Sequence, residues 1–227
     1  RSVAIGNSAL RTNLASGWTY NTAVGWGAGS NNTVGSSGTF IGSRAGYNAT
    51  GSYNTFVGTS AGEGGTTSAP YSSGGHNTAV GYQALDAFTT GNSIVAIGSH
   101  AGGSITTAYS IVAVGASAAA GISTGYRNTV VGDGAGRTFN YNNNTIIGHG
   151  CGDRASGDYN VYIGGQAVGG TTATGAANTV VGFQAMGIST GPQGAANTVA
   201  IGQQALLHTS SSNAVAVGYR AGYANQS

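Results

Sequence analysis

Few residues of this 227-residue chain could do chemistry: five carboxylates (Glu63, Asp86, Asp133, Asp153, Asp158), four histidines (His76, His100, His149, His208) and one cysteine, Cys151. The densest group is Asp133, Arg137, His149, Cys151 and Asp153. Carboxylate, imidazole and thiol together are the material of an activated nucleophile. Asp133 precedes His149, and Arg137 precedes Asp153, by one period of the repeat set out below, which predicts Asp133 stacked against His149 and Arg137 against Asp153. On an exposed rim such pairs are surface ion pairs worth about 0–1 kcal/mol. No third group completes a nucleophile and base, and no carboxylate pair recurs at a spacing suited to glycoside hydrolysis. We therefore assign no catalytic residue and read the chain as a non-enzyme. The histidines occupy different repeat positions, so no metal site is assigned, and no cofactor is expected. Gly132 to Gly136, "GDGAG", mimics a phosphate loop but belongs to the repeat and opens no helix.

The element that must position these groups is a repeat. Thirteen times a Val or Ile is followed by Gly and, three residues later, by Ala or Cys. The glycines are Gly6, Gly25, Gly42, Gly58, Gly81, Gly98, Gly115, Gly132, Gly148, Gly164, Gly182, Gly202 and Gly218, 16 to 23 residues apart. A unit this short buries an apolar face only by stacking on its neighbours, which predicts an all-β parallel solenoid of about thirteen coils over residues 1–227, one domain. At a strand spacing of ~4.8 Å the stack would run roughly 60 Å.

Composition agrees. With 43 Gly, 2 Pro and 5% charged residues the chain is no ordinary globule, yet 40% hydrophobic residues, many β-branched and in register, argue for ordered strands. The seven basic residues are all Arg and the net charge is +2, with no basic stripe for nucleic acid. No run of 18 apolar residues exists, so no membrane insertion is expected from this segment. The single cysteine excludes an intrachain disulfide, and Cys151 in the small-residue position reads as a buried thiol.

Counting from each glycine, minus one is always Val or Ile and minus three always Thr or Val. Alternation along a strand puts both on one face, which we expect to line the interior, with the Thr hydroxyls bonded there. Minus two is then expected to face outward. It is apolar as well, with Phe40, Phe56, Ile146, Tyr162 and Val180 its largest members, and a greasy outer stripe predicts sister chains packed against it. Plus one and plus two vary, as exposed positions do. The small residue at plus three predicts a tight corner leading into a second short strand. Thr or Ser before Gly, at Thr50, Thr90, Thr124, Ser156, Thr174 and Thr190, marks the opposite turn. Asn at minus four, as in Asn54, Asn77 and Asn144, suits a local turn and a stacked amide ladder.

"SVAIGNSAL" from Ser2, "NTVAIGQQAL" from Asn197 and "NAVAVGYRAG" from Asn213 resemble the head repeats of trimeric autotransporter adhesins of the YadA type. "NTAVGYQALDAFTTGN" from Asn77 is similar to repeats of bacteriophage tail fibres. The resemblance spans nearly the whole chain and implies a left-handed parallel β-roll in a homotrimer. Spacings here are longer than the adhesin's, which implies longer turns, and neither the adhesin's stalk and anchor nor a chaperone-like domain accompanies the repeats. The chain is accordingly expected to be a segment of a longer fibre protein.

These observations lead to a structural fibre and adhesin, a tail-fibre segment on the virion surface that meets a host-cell glycan or protein. The head of a bacterial surface adhesin is one alternative. An ice-binding solenoid is another, prompted by the regular Thr and opposed by their expected inward placement. Recognition is expected on projecting loops and aromatics: Pro70, Tyr71 and His76 in the insertion from Glu63 to His76, Tyr82 and Tyr219 after the repeat glycine, and the insertion from Gly187 to Ala196.

Overall fold

The computed structural model describes residues 1–12, 19–65, 71–153, 155–169, 175–187, 195–207 and 212–223. The chain divides into two compact units, Arg1–Ser117 and Ala118–Ser227. The first holds β1 (Val3–Ile5), β2 (Thr22–Val24), β3 (Thr39–Ile41), β4 (Thr55–Val57), β5 (Thr78–Val80), β6 (Asn92–Ile97) and β7 (Tyr109–Val114). The second holds β8 (Thr129–Val131), β9 (Thr145–Ile147), β10 (Val161–Ile163), β11 (Thr179–Val181), β12 (Val199–Ile201) and β13 (Val215–Val217). Each repeat contributes one strand, and the described residues contain no helix. Within each unit successive strands pair in parallel with every repeat position on its counterpart, as in Thr39↔Thr55, Phe40↔Phe56 and Ile41↔Val57, or Thr129↔Thr145, Val130↔Ile146 and Val131↔Ile147. The expected all-β parallel solenoid is the observed fold.

The two faces are the reverse of the expectation. Minus two points into the coil and is buried in every strand after β1, whereas minus one and minus three are half-buried or exposed in all thirteen. Phe40, Phe56, Ile146, Tyr162 and Val180, expected to meet sister chains, are 0–1% exposed inside their own coils. The reason is steric. A three-residue strand closing a narrow coil turns its middle side chain inward and its flanking pair outward. Alternation alone could not orient the strand, because both of its faces are apolar.

Core volume is shared between minus two and plus four. Phe40 and Phe56 sit opposite Gly46 and Gly62, where an added Cβ would lie 2.4 and 2.5 Å from the rings. Ala79 and Ala200 are instead matched by buried Leu85 and Leu206. Where minus two and plus four are both small, as in Ala96 and Gly102, Ile105 fills the gap, its Cδ1 2.8 Å from where a Cβ on Gly102 would stand. The result is a continuous core in which Phe40, Phe56 and Phe88 touch through centroid distances of 5.8 and 5.5 Å.

The expected second strand is replaced by consecutive tight turns. Plus two and plus four both take left-handed φ, as at Gln83 (51°) and Leu85 (55°), so the segment cannot extend. Its backbone still stacks. The plus-four N–H donates to the plus-three carbonyl of the next coil, as in Gly62 to Ala84 O (2.8 Å), Leu85 to Ala101 O (2.9 Å) and Gly152 to Ala167 O (2.9 Å). The small plus-three residues, Cys151 included, are buried in all but the first and last repeats.

The minus-four asparagines are buried clamps between coils. Asn77 donates its backbone N–H to Asn54 Oδ1 (2.9 Å) and its Nδ2 to Gly91 O (2.9 Å), while its Oδ1 accepts the Ile94 N–H (3.1 Å). In the second unit Asn144, Asn160 and Asn178 repeat the contact, each backbone N–H reaching the preceding Asn Oδ1 at 2.8–2.9 Å. The expected amide ladder is thus chiefly amide to backbone, which satisfies polar groups that turns leave unpaired inside a coil.

Candidate functional site

The groups with chemical potential lie on the coil rims. Asp133 and His149 hold plus one in adjacent coils with Oδ2 and Nε2 3.9 Å apart, and both side chains are largely exposed. Arg137 and Asp153 form a two-pronged pair, Nε to Oδ1 3.2 Å and a terminal nitrogen to Oδ2 3.1 Å. Arg44 pairs with Glu63 in the first unit. Coil stacking alone brings these groups together, and such exposed pairs add little stability.

Cys151 takes no part. It is buried, and desolvation pushes its thiol up to about 12, with a smaller opposing contribution from a backbone hydrogen bond at Ile147. A thiol held protonated far above neutral pH is a poor nucleophile. Folded protein at pH 8 should therefore resist iodoacetamide for hours and gain one carbamidomethyl group only after unfolding, as intact mass will record. Burial likewise raises the Tyr162 phenol, against a hydrogen bond with Asn178, so the hydroxyl stays neutral in the core. Asp86 is raised chiefly by desolvation and lies within electrostatic reach of His100 and Glu63. Among the described residues no group of three or more His, Cys, Asp and Glu is placed to hold a metal ion.

Of the expected recognition residues, Tyr71 is half-buried, and His76 is exposed with its ring stacked on Tyr53 at 4.8 Å and 20°. Tyr82 meets His100 edge-on at 5.2 Å. Tyr219 carries the Arg220 guanidinium 5.2 Å from its ring centre, and Tyr223 approaches the same group at 4.9 Å. Pro70, Thr174, Thr190, His208 and residues 188–194 of the second insertion lie outside the described residues. The fold therefore divides the aromatics among separate rims.

Two features escaped the sequence analysis. Each unit carries an outward apolar stripe at minus one, with Ile41, Val80 and Ile97 in the first and Ile147, Ile163 and Ile201 in the second, all 37–41% exposed. It runs beside the minus-three Thr and Val. The second feature is a plus-two ladder: Gln184 Nε2 donates to Gln166 Oε1 (3.1 Å), Gln204 Nε2 to Gln184 Oε1 (3.2 Å) and Arg220 Nε to Gln204 Oε1 (2.8 Å). Its signal was available, since three successive repeats carry Gln at one position and the next carries Arg. No family model matches the chain, and neither the curated proteins nor the solved structures searched contain a match.

Proposed function

We propose that this chain is a non-catalytic structural and adhesive fibre, a bacteriophage tail-fibre segment at the virion surface that associates as a homotrimer and presents its rims to a host-cell glycan or protein. The observation that carries it is the minus-one stripe. In each unit, aliphatic side chains held in register stay partly open to water along a sheet face with no cover. Contiguous apolar surface of this kind is an association surface, and burying it at about 25 cal/mol per Å² couples folding to assembly. The buried Phe40, Phe56, Ile146, Tyr162 and Val180 support the assembly only from within each coil. Similarity of the strand motifs to trimeric adhesin heads and tail fibres supports the same reading, with a bacterial surface adhesin as the alternative setting.

Light scattering coupled to size exclusion should give three times the 22.1 kDa chain mass, and Ile147→Lys with Ile163→Lys should abolish that species. A folded wild-type monomer would end the proposal.

The outward minus-three rank favours a second reading. Thr22, Thr39, Thr55 and Thr78 lie in register on four successive strands beside Val24, Ile41, Val57 and Val80, and none of the eight is buried. A regular hydroxyl and methyl array is the surface an ice-binding solenoid would use, and its outward placement removes the objection raised from sequence. An ice-recrystallisation assay decides: inhibition that Thr39→Lys and Thr55→Lys remove supports this reading, and wild-type protein without inhibition eliminates it.

A further inference from the structure

We propose that the plus-one and plus-two rim of the second unit binds an extended, neutral, β-linked polysaccharide. The proposal rests on the adhesive reading and names the class of ligand. Gln166, Gln184, Gln204 and Arg220 are tied head to tail along four successive coils at 2.8–3.2 Å. Gln184 and Gln204 each spend one N–H and one lone pair on their neighbours and Gln166 one lone pair, which fixes the amide planes. The second N–H and the remaining lone pairs are left for a ligand. Sugar hydroxyls both donate and accept, as such a row does.

Beside this row, the plus-one rank supplies flat apolar faces. Phe183 lies over Gly165, its Cδ2 3.4 Å from where a Cβ on that glycine would stand, so one side of the ring is covered by the coil and the residue remains 49% exposed. Tyr219 is 65% exposed two coils further on. Two coils are about 10 Å at the ~4.8 Å spacing of strands, and an extended β-linked sugar chain advances by about one coil spacing per residue, so by two residues over that distance. Phe183 and Tyr219 can therefore stack on alternate pyranose rings while the amides read the hydroxyls between them. The row's one guanidinium, Arg220, is held by Gln204 and flanked by Tyr219 and Tyr223, and the same rim carries Asp133 beside His149. A rim with one guanidinium and one carboxylate suits a neutral polymer better than a polyanion.

Isothermal titration of the full chain with cellohexaose and chitohexaose, and with their disaccharides, tests this. At least one hexasaccharide should bind, tenfold or more tightly than its disaccharide. Phe183→Ala and Tyr219→Ala should each weaken it at least tenfold with an unchanged melting temperature, Phe183→Tyr should restore it, and Trp26→Ala in the first unit should leave it unaltered. The proposal is overturned if neither hexasaccharide binds, if the disaccharides bind as tightly, or if the two alanine variants bind like wild type. Trimeric protein that adheres to cells yet fails this titration would retain the adhesive function and reject the β-linked ligand.

Discussion

Gly58→Ala should lower and broaden the thermal transition of the first unit. Gly58 has φ +130°, and a Cβ there would lie 2.5 Å from Gly81 O and 2.8 Å from its carbonyl carbon. Backbone on backbone cannot yield as a side-chain tip can, and the same approach joins Gly42 to Gly58, so relief at one step compresses the next. The unfavourable φ costs about 1–3 kcal/mol and the overlap about 1–3 more. Against a total stability of roughly 5–15 kcal/mol, circular-dichroism melting should show a broad, early transition. The control is Gly134, with φ +62° and nothing within 4 Å of its added Cβ. Ser8, Ser60 and Ser117 adopt the same conformation at the equivalent position, φ 53–60°, so Gly134→Ser should cost under about 1 kcal/mol. Equal losses at the two glycines would refute the stacking argument.

Phe56→Ala should cost about 3–5 kcal/mol, as expected for a fully buried ring replaced by a cavity. Its ring packs between Phe40 and Phe88 and over Gly62. Gly62→Leu alone should also destabilise, by about 1–3 kcal/mol, because its Cβ would stand 2.5 Å from three atoms of the Phe56 ring. Combined, the two substitutions recreate the Ala79 and Leu85 arrangement of the next coil, and Leu85 already accepts φ 55° at that position, close to the 54° of Gly62. The double variant should therefore be more stable than the sum of the single losses by at least about 1 kcal/mol in a chemical-denaturation cycle. Strict additivity would show that minus two and plus four do not share one volume.

That exchange is only partly legible in the sequence. Phe40 with Gly46, Phe56 with Gly62, Ala79 with Leu85 and Ala200 with Leu206 exchange large for small, but Tyr162 with Val168 and Ala23 with Gly29 do not, so the pairs hint at a shared volume without placing minus two inside. The β-branched residues at minus one and minus three pointed the other way, since strand propensity and burial favour the same residue types. The glutamine row was equally visible as Gln166, Gln184 and Gln204, but its interlocked amides required the distance between coils. The turns after the repeat glycine were missed because Arg44, Gln83, Leu85 and Val168 all take left-handed φ, which residue type does not announce.

The chain's repeat period and its recurrent glycines follow from residue identity, because only glycine permits the φ and close approach at the bend, and the frequent minus-four asparagine marks a polar contact between coils. Which side of each strand meets water does not follow, since Val, Ile, Thr and Ala suit either face of a short strand. Closure of the coil settles it: the enclosed space takes the middle side chain of each three-residue strand, and Ile94 and Ile111 besides in the longer β6 and β7, while the flanking aliphatics are turned outward.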